Sequence, residues 1–351
     1  MRIVFVYWPF EDQGSGLVVR GYSAAAHAAG HQIEVYGIPY ERIPLDYTLE
    51  LSSADAVVFL FEWTTQLYYG DRLDLVRLVG SVPRRRRVVI DGDGNYNDAL
   101  HVDDDWNHLG PEQAQSWTEM CDALTDKICQ PTLHPLRDNV IPFLFYGYDP
   151  SWELPFDPAE DKEFGLLYVG HSKFRWHAMS RLLSAVEPVR NRLGRIAIVG
   201  HGWDSAPPWA EELDCTDRYR SDPARLAALG VEVLPPVPFP AVVACMNRSL
   251  CNAVLTRPMF QRLRIVTPRS FETPAAGTIP LLVLDEGHVK EIYGEAGLEL
   301  LLPEQDQHEK IVDIVERPAH YAEVLAEIQS HLASHHSHRA RLAELLQIIE
   351  A

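Results

Sequence analysis

Arg269 and Glu272 stand three residues apart in the stretch TPRSFETPAAGTIPLLVL, residues 267–284. If Ser270 opens a helix there, both side chains share a face and project from its first turn toward one ligand. A carboxylate accepts both hydroxyls of a ribose, and a helix N-terminus, with unpaired N–H groups and a partial positive charge, favours a diphosphate. Ser270 and Phe271 belong to that turn, and Ala275, Ala276 and Gly277 leave room for close approach. The competing reading is a solvated helix pair with Gly277 as a C-cap. A second cationic pair, Lys173 and Arg175 in GHSKFRW (170–176), lies just past an apolar strand. Two positive charges there neutralise a diphosphate, and the plainer alternative is an exposed basic loop. In IVGHGWD (198–204), Gly202 permits close backbone approach, while Trp203 is either a pocket wall or a core indole.

The first half of the chain carries acids instead. Asp91 and Asp93 form a D-x-D in DGDGN (91–95), directly after an apolar strand. Such a pair presents carboxylates to a divalent cation and diphosphate, contacts an acceptor, or simply builds a glycine-rich turn in which Asp and Asn serve the backbone. Asp12, Glu62 and His101 fall in loops 9–16, 62–70 and 91–108. In a parallel sheet, these loops flank the ligand crevice beyond the carboxyl ends of the strands. His101 is a base or a hydrogen-bonded structural residue.

These residues need a scaffold, and the composition describes one. A chain of 351 residues with 46% hydrophobic content suits two cores of comparable size. The net charge of -19 argues against a nucleic-acid groove or an anionic membrane surface as main partner, so any phosphate must be held locally. Five cysteines without a CxxC spacing suggest neither a disulfide framework nor a zinc site, and fit a reducing cytoplasm. The apolar start MRIVFVYW is too short for a membrane span and reads as a buried strand, followed by the turn EDQGSG and a helix over 17–29. Further strands are expected at 32–36, 54–61 and 87–90, with a helix at 72–79 between the last two. Pro150 to Pro158 reads as a linker. The pattern then restarts with strands at 165–169, 195–199, 249–255 and 281–284, a helix at 177–193 and a helical tail over 318–351. Alternating strands and helices imply parallel sheets covered on both faces. His331, His335, His336 and His338 lie on a polar helix face without carboxylate or cysteine partners, and no metal is expected there.

The blocks YGYDP, YVGHSKFRW, IVGHGWD, NRSLCNAVLTR, RSFETPAAGTIPLL and HHSHRARLAELL, in that order from roughly residue 120 to 351, resemble those of CgeB-like glycosyltransferases of the GT-B group. The resemblance implies an α/β fold of two facing Rossmann-like domains: an acceptor domain at 1–150, a nucleotide-sugar domain at 151–330, and a C-terminal helix at 331–351 packing back toward the first. It implies that Glu272 takes the ribose hydroxyls, that Arg175, Lys173 and Arg269 contact the diphosphate, and that Gly202, Trp203 and the backbone around Val237 to Phe239 lie near the base. A nucleoside-diphosphate sugar is then a donor substrate rather than a cofactor, no metal is required, and the acceptor is a small molecule. A homodimer is the candidate assembly. One feature departs from the family: where retaining relatives often carry a second glutamate near the sugar, residues 270–277 offer only Glu272. An inverting enzyme would need a base, for which Asp12, Glu62, Asp91 and His101 are candidates. In a retaining enzyme the leaving phosphate itself can accept the proton. Three alternatives stand beside this reading: a nucleotide-sugar epimerase of the same form, a metal-dependent glycosyltransferase using Asp91 and Asp93, and a non-catalytic nucleotide-binding protein.

Overall fold

A computed structural model describes residues 1–7, 14–39, 44–62, 72–98, 100–102, 105–106, 111–212 and 215–351. The strands are β1 (Arg2–Val6), β2 (Gln32–Tyr36), β3 (Tyr47–Thr48), β4 (Ala56–Phe61), β5 (Arg87–Asp91), β6 (His101–Val102), β7 (Asp105–Trp106), β8 (Ile128–Gln130) and β9 (Val140–Pro142). They continue with β10 (Phe164–Val169), β11 (Ile196–Val199), β12 (Val231–Leu234), β13 (Ser249–Leu255) and β14 (Ile279–Val283). Seven form one sheet in the order β3-β2-β1-β4-β5-β8-β9, and five form a second in the order β12-β11-β10-β13-β14. Pairing within both is parallel, as at Ile3–Ala56 between β1 and β4 and Leu166–Cys251 between β10 and β13. β6 and β7 make a separate antiparallel pair.

Both sheets are buried on two faces, as parallel strands require. Alternate residues of β1 divide between two cores: Ile3 and Phe5 face one and Val4 and Val6 the other. In β10, Leu166 and Tyr168 share the core of Ile3 and Phe5, while Leu167 and Val169 enter a third cluster. The shared core is continued by Leu332 and Leu342 of the two tail helices.

Several elements differ from expectation for identifiable reasons. The first helix begins at Gly14 and runs to Ala28, so Gly14 and Gly16 are helical rather than parts of a loop facing a ligand. The helix expected over 177–193 spans Trp176–Val186 and tightens into a 3-10 turn over Glu187–Arg192, where Pro188 lacks a backbone donor. The tail divides into Pro318–His335 and His338–Glu350, the latter capped by Ser337, whose Oγ accepts from Ala340 N. The last helix lies on the first one: the His338 ring meets Tyr22 edge-on at 5.8 Å, and Lys127 Nζ donates to Ile349 O at 2.7 Å. After the turn at Pro150–Trp152, the proline-rich segment docks rather than dangles, since Leu154 N donates to Ala275 O at 2.8 Å. Gly277, at φ 59°, lies so close to Leu154 that a Cβ would come within 2.3 Å of its carbonyl oxygen.

Candidate active site

In the second sheet the strand order reverses between β10 and β13. Crossovers leave toward opposite faces there, and a crevice opens beyond the strand ends. Two loops meet at that point, GHSKFRW after β10 and Thr256–Arg257 after β13. Phe174 adopts the left-handed conformation at φ 54°, unusual for a side chain of its size, and its N–H donates to Arg218 O at 2.8 Å. Backbone of this kind persists where surrounding contacts over-determine it. Ser172 provides such contacts: its N–H donates to His201 O at 2.9 Å and its Oγ to Gly202 O at 2.6 Å. Gly202 sits at φ 84°, and a Cβ there would come within 2.3 Å of Ser172 Oγ, so glycine is needed for the loops after β10 and β11 to touch.

The clamped loop gathers cations. Arg175 donates through Nη1 to His171 Nδ1 at 3.1 Å and to Lys173 O at 3.0 Å. Arg257, nearly buried, lies over the rings of Phe174 and Phe260 at 4.5 and 4.9 Å. His171 is exposed to solvent beside these cations. Desolvation, then the charges of Arg175, Lys173, Arg269 and Arg257, push its pKa well below the ordinary range, so it stays neutral and accepts from Arg175. Burial, reinforced by Arg257 and Arg218 and opposed by Asp93, lowers Lys173 to about 7.

Arg269 joins this group from the helix Arg269–Ala275. Its Nε donates to Val169 O at 2.8 Å, its guanidinium lies 5.6 Å from the Phe239 ring, and Nη1 bonds the Glu272 carboxylate. Burial raises the pKa of Glu272, with Arg269 opposing that shift. The two side chains therefore share a face as expected, already paired with each other. Three N–H groups of that first turn are already taken: Ser270 N donates to Thr267 O, and both Phe271 N and Glu272 N donate to Pro268 O. Pro268 is already helical at φ -52° and ψ -35°, which starts the turn one residue early. The side chains of Arg175, Lys173, Arg269 and Arg257 bring positive charge to the crevice.

The side chains of Trp203, Phe271 and Ser270 are turned into the core. Trp203 is fully enclosed, its Nε1 donating to Gly170 O at 2.8 Å and its ring edge-on to Tyr168, so it stands behind the loop as a core indole. Phe271 is buried with its ring 6.0 Å from that of His336, and the Ser270 side chain bonds Tyr293. Both point inward because their helix is covered on that side. Val237 is half-buried against the third cluster.

On the first sheet the order reverses between β1 and β4, and Glu62 follows β4 directly. Ser15 Oγ donates to Glu62 Oε1 at 2.6 Å, and Tyr146 also bonds this carboxylate. Burial, with the charge of Asp93, raises Glu62 to about 7 against the pull of both hydrogen bonds. Asp91 is spent on its turn: buried, it accepts from Asn95 N at 3.0 Å, Tyr96 N at 2.7 Å and Gln130 Nε2 at 2.8 Å. Asp93, two residues on, is half-exposed and within electrostatic reach of Glu62 and Lys173. The D-x-D therefore splits into one turn former and one group at the crevice. Among the described residues no cluster of three His, Cys, Asp or Glu is arranged to hold a metal. His101 pairs with Trp106 through the β6–β7 backbone, and Asp12 lies outside the described residues.

Tyr146 hydrogen-bonds Glu62 and lies within electrostatic reach of the carboxylates of both halves, Glu62 and Asp93 from the first and Glu272 from the second. Residues 180–347 match a family model described as glycosyl transferase-like. An alpha-glucosyltransferase solved in complex with UDP and a 13-mer DNA is similar over 100% of both chains, at 13% identity and TM-score 0.66. A glycosyltransferase from Rickettsia africae covers 99% of this chain and 97% of its own, at 10% identity and TM-score 0.57. Sucrose-phosphate synthase from Thermosynechococcus elongatus covers 99% and 98%, at 14% identity and TM-score 0.57. The chain has the GT-B fold. The family match over residues 180–347 is to a glycosyl transferase-like model. No curated protein matches the sequence.

Within the GT-B frame, sequence reasoning missed His171, Arg218, Arg257 and Tyr146. Arg257 was accessible by the argument applied to Lys173, since it stands two residues beyond the end of β13. What hid it was the strand order, which alone brings the ends of β10 and β13 together.

Proposed function

We propose that this protein is a CgeB-like, metal-independent glycosyltransferase that moves a sugar from a nucleoside-diphosphate sugar to a small-molecule acceptor. The observation that carries the reading is the convergence of Arg175, Lys173, Arg269 and Arg257 around His171 at the reversal point of the second sheet. Departure of a nucleoside diphosphate from an anomeric carbon builds negative charge on phosphate oxygens, and fixed cations in an enclosed crevice stabilise that charge more in the transition state than before it. They supply what a divalent cation supplies elsewhere, while Asp91 is committed to three N–H donors. Glu272 takes the ribose hydroxyls, with Arg269 holding it in place.

In this reading residues 1–150 carry the acceptor, 151–330 carry the donor, and 331–351 return to the first domain. Several similar structures were solved with DNA. Here a net charge of -19 opposes a polyanion, which favours a small acceptor. Five free, buried cysteines suit a reducing cytoplasm. No described helix is long and apolar enough to cross a membrane.

The test is calorimetry with UDP, GDP, ADP and dTDP on the wild type and on Arg175→Ala and Glu272→Ala, followed by sugar release from the matching donor with and without EDTA. Weaker binding in both variants and EDTA-insensitive release support the reading. Unchanged affinity in both refutes the site, and release that fails in EDTA and returns with Mn or Mg refutes metal independence.

A further inference from the structure

We propose that Glu62 is the base that takes the proton of the attacking hydroxyl, held in place by Ser15 and Tyr146, and that transfer therefore inverts the anomeric carbon. This rests on the transferase reading above. Glu62 occupies the reversal point of the first sheet, as the cation group occupies that of the second. Three elements fix its side chain. Ser15, at the start of the helix Gly14–Ala28, donates to Oε1 at 2.6 Å. The backbone after β5 closes the opposite side, where a Cβ on Gly92 would come within 3.2 Å of Glu62 Cγ. Tyr146 supplies the second hydroxyl and reaches electrostatically to Glu272 on the donor side.

Among the described residues, two hydroxyls donate to a carboxylate with about four acceptor positions, which leaves room for a substrate hydroxyl. Asp91, buried and accepting from three N–H groups, has no such freedom. Among the described residues, the titratable groups around Glu62 are Tyr7 from the end of β1, Asp93 from the loop after β5, and Tyr146; beyond them Lys173 lies within electrostatic reach of Asp93, and Glu272 of Tyr146. Burial and Asp93 bring Glu62 to about 7, where a general base combines adequate strength with substantial ionisation at neutral pH.

In the step itself, the acceptor oxygen bonds to the anomeric carbon and its proton passes to a Glu62 oxygen. The bond from that carbon to the phosphate oxygen breaks, and its electron pair leaves with the nucleoside diphosphate toward Arg175, Lys173, Arg257 and Arg269. A single displacement on the face opposite the leaving group inverts the configuration.

Water can replace the acceptor in the test. UDP-glucose, GDP-mannose and ADP-glucose are screened by thermal shift, and hydrolysis of the one that binds is followed by nucleoside diphosphate release and by proton NMR of the sugar. Glu62→Gln is expected to slow hydrolysis by about 100-fold or more while leaving nucleoside diphosphate affinity within about twofold. From an α-linked donor, the β anomer should appear first. The wild-type rate should rise with pH through about 7. In Ser15→Ala and Tyr146→Phe that rise should move to higher pH, because each lost hydrogen bond had favoured the charged carboxylate. A Glu62→Gln enzyme that binds nucleotide and hydrolyses within about threefold of wild type, or a first product with retained configuration, overturns the assignment of Glu62 but leaves the donor site standing. Failure of the wild type to bind any of UDP, GDP, ADP and dTDP would instead remove the donor site, and this inference with it.

Discussion

Replacing Arg257 by Met tests the donor site at a residue for which nothing but its place in the fold argues. The Met side chain keeps an apolar stem between Phe174 and Phe260, where the guanidinium lies at 4.5 and 4.9 Å, and removes only the charge. A phosphate held within about 6 Å of that charge, at an effective dielectric constant near 20, gains roughly 3 kcal/mol. Loss of a hydrogen bond to a charged group costs about 1.5–3 kcal/mol, the same range by an independent route. Each ~1.4 kcal/mol is tenfold, so the Kd for the nucleoside diphosphate should rise about 10- to 100-fold by calorimetry, with thermal unfolding in the absence of nucleotide as the control for folding. The same variant has a reading that needs no ligand. Arg257 is one of four cations that depress His171, so its removal should raise the His171 pKa in an NMR titration. A Kd within about threefold of wild type, or a His171 titration that does not move, refutes the convergence on which the donor site rests.

Two further outcomes follow from the same geometry. Burial holds Lys173 near 7, and a bound diphosphate favours its charged form and raises that pKa. Binding should therefore take up a proton above pH 7, and affinity should fall as pH rises from about 7 to 9; equal binding heats in buffers of different ionisation enthalpy would contradict this. Gly202→Ala should be compared with Gly194→Ala. Both positions have positive φ, 84° and 59°, but a Cβ meets nothing within 4 Å at Gly194 and comes within 2.3 Å of Ser172 Oγ at Gly202. The backbone cost, about 1–2 kcal/mol, is common to both, so urea unfolding should show Gly202→Ala less stable by a further 1–3 kcal/mol or so from overpacking. Equal losses would mean that the loops after β10 and β11 are not clamped together.

Much of the scaffold was legible because its strands are short, apolar and bounded by turn residues. Gln32–Tyr36 and Ser249–Leu255 fall where the sequence pattern puts them. Register and order were not legible, since they depend on contacts between distant segments. That is why Lys173 and Arg175 could be grouped from one loop, while Arg257 could not be joined to them: it meets them only because β13 lies beside β10. A similar limit applied to the acids. The D-x-D spacing shows two carboxylates after a strand, but only the folded turn reveals that Asp91 is consumed by Asn95, Tyr96 and Gln130 while Asp93 stays within electrostatic reach of Glu62 and Lys173. Trp203 was ambiguous for want of burial, and the fit of Gly202 against Ser172 is invisible without coordinates.

The chain passes between its two lobes twice, once near Tyr148 and again near Ser337, and the two passages run side by side: Tyr148 N donates to His336 O at 2.8 Å and the segments form a parallel bridge. A body joined to another by a single thread can swivel freely, whereas two laced threads allow bending about a common line and resist torsion. The double passage therefore opposes rotation of one lobe on the other, and with it any turning of the acid beyond β4 away from the cations beyond β10 and β13.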